Sequence, residues 1–267
     1  TARFTIDESD PRDQYARLYA ADVVDTINRL SLPRYGLGNY AARAPQKPPT
    51  PDEKQLLDNL SRAGKRLMGF CRTNLFKRLE SSGMAFLLSV ERHLLRNYIV
   101  LHAIENGLPI PIGTQDAALL DTRATDRDEA ESEALANGAA VDPSDDEESD
   151  PVSAPGQPHQ RLRSHEEFQQ RAAAVYRAYA TVGKKRFKWI RPDLFSADLE
   201  KALEKDTLDL LVLLDLCGEW DPSRDAKLKV LETLIRGQPP RRKVLVFSQF
   251  ADTTTYLEEQ LRRRGIK

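Results

Sequence analysis

The sequence predicts a mainly α-helical protein that leads into a single βα element. Three observations carry this expectation. Helix-start signals stand ahead of apolar residues spaced three and four apart, as in Thr50-Pro51-Asp52-Glu53 and Ser164-His165-Glu166-Glu167. Glycine closes most of these runs, at Gly107, Gly183, Gly218, Gly237 and Gly265. Only residues 243–250, Lys-Val-Leu-Val-Phe-Ser-Gln-Phe, have the unbroken apolar core of a parallel strand covered on both faces.

Taken in order, Asp10-Pro11-Arg12-Asp13 reads as a helix start, with Asp10 as N-cap and Pro11 at the first helical position. Tyr15, Leu18, Tyr19, Val23, Ile27 and Leu30 then form one apolar face. Residues 31–49 are punctuated by Gly and Pro and read as a loop. The Thr50 capping box opens a second helix with Leu56, Leu57 and Leu60. Gly64 interrupts the pattern before Leu67, Phe70, Leu75 and Leu79 resume it. Residues 84–105 are the longest strongly periodic stretch, stopped by Asn106-Gly107 and Pro109. Helices are further expected from Ser164, from about Ser196 to Gly218, and from Asp221-Pro222 to Gly237. A last helix is expected over 251–264, after the strand.

Between these elements the composition changes. Residues 126–150 hold eleven acids against Arg127, a charge of −10. The chain as a whole carries −1, so the remainder carries +9 and suits a polyanionic partner. Residues 126–160 are also poor in large apolar side chains and read as a disordered insert, because too little surface can be buried to offset the ordering entropy.

Several functional classes are excluded at this level. No apolar run approaches the roughly 20 residues that span a bilayer, and the start of the chain lacks the basic and apolar regions of a signal peptide. A cytoplasmic protein without membrane contact is expected. The chain also begins without Met and runs straight into structured sequence, as an internal piece of a longer protein would. Cys71 and Cys217 lie in apolar stretches and read as buried free thiols. His93, His102, His159 and His165 lack metal-ligand spacing, and no Ser/His/Asp or Cys/His arrangement suggests nucleophilic catalysis.

At the carboxyl end of the expected strand, Ser248 and Gln249 offer a hydroxyl and an amide without charge. With the N–H groups that open the next helix, such groups suit a phosphate oxygen, although a strand-end turn without a ligand has the same residues. Around them the sequence reads Asp225-Ala226-Lys227 with Leu228, Leu231 and Leu234, then residues 243–250, then Leu257-Glu258-Glu259-Gln260-Leu261 and Gly265. This combination resembles the entry to the second RecA-like lobe of Swi/Snf-type superfamily-two helicase-like ATPases. There a D-x-K helix leads into the strand motif VLIFSQF, called motif IV, and a helix ending L-x-x-x-G follows. Lys77-Arg78-Leu79-Glu80-Ser81-Ser82 resembles a helical segment found between the lobes of bacterial members.

The resemblance covers about residues 221–267 and implies an internal fragment. On that reading 1–125 is a helical inter-lobe region, 126–160 the insert, 161–220 a further helical region, and 221–267 the truncated start of the second lobe. It also implies that Ser248 and Gln249 approach the nucleic-acid backbone. The expected partner is DNA, duplex and read without regard to sequence. The parent protein would bind ATP and Mg²⁺ at a cleft with a first lobe absent from this chain. The chain itself has no G-x-x-x-x-G-K-[ST] loop to cradle phosphates, so no cofactor and no hydrolysis are expected of it alone. Asp128-Glu129-Ala130-Glu131 has the spacing of a Mg²⁺-holding box but follows no buried strand, and is rejected.

Two basic regions complete the reading. Arg62, Lys65, Arg66, Arg72, Lys77, Arg78, Arg92 and Arg96 outweigh Glu80 and Glu91 by +6. Of these, Arg72, Lys77 and Arg78 join Ser248 and Gln249 as candidate nucleic-acid contacts, salt-sensitive and sequence-independent. A solvated helix surface accounts for the same charges. Residues 184–191 interleave five cations with Phe187 and Trp189, as in single-strand binders. The favoured alternative is a linker whose two rings plug the core. A helical protein-interaction module without any nucleic-acid function remains the competing reading of the whole chain.

Overall fold

The computed structural model describes residues 4–113, 162–181, 184–239 and 242–266, with the side chains of 62–67 and 186 left aside. The expected insert, 126–160, lies outside the described residues. The architecture is mainly helical. In chain order the helices are α1 (Gln14–Leu18), α2 (Ala21–Arg29), α3 (Pro51–Ser81), α4 (Gly83–Glu105), α5 (His165–Thr181), α6 (Ala197–Cys217), α7 (Ala226–Arg236) and α8 (Ala251–Arg263). Two short strands, β1 (Ile110–Ile112) and β2 (Lys188–Ile190), and short 3₁₀ turns accompany them among the described residues.

The first expected helix is divided. Asp13, three residues later than read, caps α1 by accepting from the Tyr15 and Ala16 N–H groups. The chain breaks at Tyr19 and Ala20 before α2. Residues 33–40 of the expected loop wind into a 3₁₀ helix whose Tyr35 and Leu37 enter the core. Ahead of it Leu32 adopts a left-handed backbone with φ of 48°, a conformation that costs a non-glycine residue about 1–2 kcal/mol. Asp206 on α6 fixes this bend by accepting from the Ser31 and Leu32 N–H groups at 2.8 and 2.6 Å.

The Thr50 box forms on both sides: Thr50 Oγ1 accepts from the Glu53 N–H and Glu53 accepts from the Thr50 N–H. The helix it opens runs through Gly64 without interruption to Ser81. A glycine in a helix interior costs only about 1 kcal/mol against alanine, too little to stop a helix packed along its length. Helix α4 follows after one residue and is buried nearly all round, from Phe86 to Leu101. It ends where read, with Gly107 at φ of 60°, a left-handed cap that glycine adopts without steric cost. The Ser164 box also forms, with Ser164 Oγ and Glu167 Oε2 each accepting from the other residue's N–H.

Helix α4 is the axis of the molecule. It packs against α3, α5, α6, α8 and β1. A single hydrophobic core runs from Tyr15 through Phe86, Leu94, Phe168 and Leu213 to Leu228 and Tyr256. Helices α7 and α8 therefore join the core of the preceding helices through Leu228 and Tyr256. Strands β1 and β2 pair antiparallel, Ile110 opposite Ile190 and Ile112 opposite Lys188. Phe187 is buried and Trp189 packs against Tyr176, so this basic stretch uses both rings for packing.

The expected strand is the main departure. Residues 243–250 make no ladder pairing, and the described strands pair only with each other. Val244 and Val246 are 42% and 45% exposed, and Leu245 and Phe247 are 78% and 88% exposed. A strand exists only through the neighbour that takes its backbone hydrogen bonds, and none of the described residues offers one. The Asp221-Pro222 signal likewise forms only a 3₁₀ turn over Pro222–Arg224, and Asp225 caps α7 instead.

Candidate nucleic-acid interface

The end of α3 and the start of α8 meet beside α4. Ser81, in the last turn of α3, has its hydroxyl 3.3 Å from that of Ser248 and 2.9 Å from that of Thr253. One turn earlier on α3, Arg78 donates from Nη1 to Asp252 Oδ2 at 3.2 Å. Its guanidinium also lies over the Phe250 ring, 4.7 Å from the centroid. From α4, Arg92 grips the same carboxylate with both terminal nitrogens, at 2.6 and 2.7 Å. Arg78, Arg92 and Asp252 are 0%, 2% and 4% exposed. Asp252 occupies the first turn of α8, where the helix dipole favours a carboxylate. A planar guanidinium fork matches that carboxylate, so the geometry fixes the entry angle of α8.

The D-x-K pair secures the other side of the same region. Asp225 accepts from the Leu228 N–H at 2.9 Å, from Tyr256 Oη at 2.8 Å and from Tyr15 Oη at 3.3 Å. Trp220 Nε1 donates to Tyr256 Oη at 3.0 Å. Burial, with Asp225 beside them, pushes both tyrosine hydroxyls well above their ordinary pKa. Lys227 donates to the Glu80 carbonyl and lies over the Phe4 and Tyr15 rings, 4.9 and 4.7 Å from their centroids. Its pKa is lowered by burial, with Asp225 and Glu80 opposing.

The five candidate contacts are thus distributed unevenly. Ser248 is half-buried and accepts from the Phe250 N–H at 3.2 Å, while Gln249 and Lys77 lie on the surface. Arg72 stands apart, donating to the Leu30 carbonyl at 2.7 Å and tying α3 to the end of α2. Arg78 faces inward to Asp252 and presents nothing to a phosphate in this arrangement. Arg92 and Arg96, grouped with it as a basic face, are each 2% exposed. Of that face Lys77 remains outward, and the side chains of Arg62, Lys65 and Arg66 lie outside the described set.

Sequence reasoning missed Ser81, Arg92, Asp252 and Tyr256 as members of the junction. One signal was available. An arginine within an otherwise apolar helix such as 84–105 must find an interior acid, since burying a lone charge is prohibitive.

Chemically, the junction offers hydroxyls, an exposed amide and a nearby lysine, with its carboxylate already engaged by guanidinium groups. Hydroxyl, amide and ammonium groups are donors of the kind that a backbone phosphate oxygen accepts from. The junction does not fit ATP with Mg²⁺, because Asp252 is committed to Arg78 and Arg92 and no glycine-rich cradle exists in the sequence. Among the described residues no three His, Cys, Asp or Glu side chains gather as metal ligands, and no helix is long and apolar enough to cross a membrane. Comparison with protein-family models, curated proteins and solved structures returns no match for this chain.

Proposed function

We propose that this chain is part of a nucleic-acid-dependent, helicase-like DNA translocase of the Swi/Snf type, contributing backbone contacts while ATP chemistry resides elsewhere in the protein. The observation that carries the reading is the closure of residues 77–82 on residues 248–253. Ser81 and Ser248 lie 167 positions apart in sequence and touch. Both segments carry the resemblance to that family. The exposed side chains of 244–247 alternate in exposure with period two, as a strand awaiting neighbours in a RecA-like sheet would. On this reading Ser248, Gln249 and Lys77 are the groups that would meet phosphate.

The test is a salt titration of the purified chain with a labelled duplex of arbitrary sequence. Binding should weaken steeply between about 50 and 200 mM salt. Lys77→Glu should lower affinity across all sequences and reduce the magnitude of the log–log salt slope by about one for the lost contact, or more for the reversed charge. Arg78 is unsuitable for this purpose, because its replacement would disrupt the junction itself. Salt-insensitive binding, or affinity unchanged by Lys77→Glu together with Gln249→Glu, would overturn the assignment.

A further inference from the structure

Helix α6 leaves one face uncovered. Leu208, Val212 and Leu216 recur every fourth residue and are 61%, 53% and 42% exposed. On the opposite side Leu203, Leu210, Leu213 and Leu214 are fully within the core. Three aliphatic side chains in line over about two turns are the pattern by which helices anchor on one another. The helix therefore has two apolar faces, of which the described residues cover one.

The rim of the uncovered face is acidic. Glu204, Asp215 and Glu219 are exposed beside the stripe, and Asp22 and Asp25 are exposed on the neighbouring helix α2. The two helices are joined at this edge by Arg29 and Asp209, 3.4 Å apart. On the same edge Lys205 lies 3.5 Å from Asp209 and Lys201 3.8 Å from Asp198. The lysines and Arg29 thus have acid partners within the molecule, and Glu204, Asp215, Glu219, Asp22 and Asp25 leave the exposed rim acidic.

We infer that this face docks a basic amphipathic helix of a partner protein, with aliphatic anchors on Leu208, Val212 and Leu216 and Lys or Arg against the acidic rim. Charge selects this occupant over two others. The chain's own 126–150 tract carries −10 and would meet the rim with like charge. A second copy docking stripe to stripe would bring two acidic rims together. The inference does not depend on the nucleic-acid reading, since it uses none of the residues at the junction.

The test uses the full chain and a labelled synthetic peptide of Leu and Lys arranged with helical amphipathic spacing. A scrambled peptide of identical composition controls for simple attraction to the acidic tract. The amphipathic peptide should bind at least about tenfold more tightly than the scrambled one, the loss expected when central anchors are removed. Leu208→Asp with Val212→Asp should abolish that difference while circular dichroism remains that of the parent. Asp215→Lys with Glu219→Lys, which leaves the stripe intact, should weaken binding several-fold and flatten its salt dependence. Equal binding of both peptides, or affinity indifferent to both pairs of substitutions, overturns the inference. So does concentration-dependent self-association that Val212→Asp removes in a chain that fails to bind the peptide.

Discussion

Replacing Asp252 by Ala removes the one carboxylate shared by two interior arginines. Arg92 loses hydrogen bonds of 2.6 and 2.7 Å and Arg78 one of 3.2 Å. Neither guanidinium can turn to water, because Arg78 is 0% and Arg92 2% exposed. Removing one partner of a buried ion pair costs about 3–5 kcal/mol, and here two interior guanidinium groups lose the same carboxylate. Against a total stability of about 5–15 kcal/mol, that loss is a large fraction. With a urea slope of about 2 kcal/mol per molar, the unfolding midpoint should fall by roughly 2 M. Circular dichroism of the helices provides the assay.

The reasoning makes a second, sharper demand. The cost arises from buried positive charge that has lost a compensating carboxylate, so removing the charges together should be milder. Arg78→Leu with Arg92→Met and Asp252→Leu should unfold at higher urea than Asp252→Ala alone. Hydrogen exchange should show the Asp252→Ala loss first in the amides of α8, whose entry this carboxylate fixes, and later in α4. A cost below about 1 kcal/mol for Asp252→Ala would refute the argument. A triple variant less stable than the single one would also refute it.

Three further outcomes are expected. Tyr256→Phe deletes the hydroxyl between Trp220 Nε1 and Asp225, leaving both without that partner. It should cost about 1–3 kcal/mol in urea unfolding and shift the emission of Trp220. Gly38→Ala should be destabilising by about 1–3 kcal/mol, because a Cβ there would collide with the backbone of Ser61, which cannot rotate away; thermal unfolding measures the effect. Hydrogen bonds from Arg191, and then from the Thr50 N–H, hold the Glu53 carboxyl below its usual 4.5. Stability from a depressed carboxyl is present above its unfolded value and lost as pH falls through the folded one. Glu53→Gln should therefore be less stable than the parent at pH 7, and the two urea curves should converge as the pH is lowered beneath 4.5.

Helices written with local chemistry were legible in the sequence. The Thr50 and Ser164 boxes, the Asn106-Gly107 stop and the periodic run over 84–105 each depend on residues within a few positions of one another, and each formed as read. Misreadings arose where distant residues decide. Asp10-Pro11 has the form of a helix start, but Asp10 accepts from the Arg12 N–H and Asp13 caps the helix. Strands β1 and β2 are three residues each and are created by mutual pairing, for which neither sequence gives a periodic sign. The five candidate contacts were chosen partly for charge, and charge does not reveal which way an arginine points. Lys77 and Arg78 are adjacent in sequence, yet one is exposed and the other wholly interior.

That divergence bears on how the motif residues should be read. Asp225 and Lys227 at the start of α7 and Asp252 in the first turn of α8 are charged residues of the kind that contact ligands. Here each is engaged inside the molecule: Asp225 with two tyrosines, Lys227 with a carbonyl and two rings, Asp252 with two arginines. Their common effect is to fasten α7 and α8 to the α3–α4 hairpin. Fastening leaves Ser248 and Gln249 just ahead of α8, and Lys77 beside it on α3, as the outward polar groups of the junction. An acid in the first turn of α8 would ordinarily repel a phosphate from that helix end. With its carboxylate gripped by Arg92 and Arg78, Asp252 can anchor the helix without opposing an anion at Ser248. On the proposed function, the interior arginines would serve nucleic-acid binding by holding the acid inward, a role that their substitution should reveal as lost stability before lost affinity.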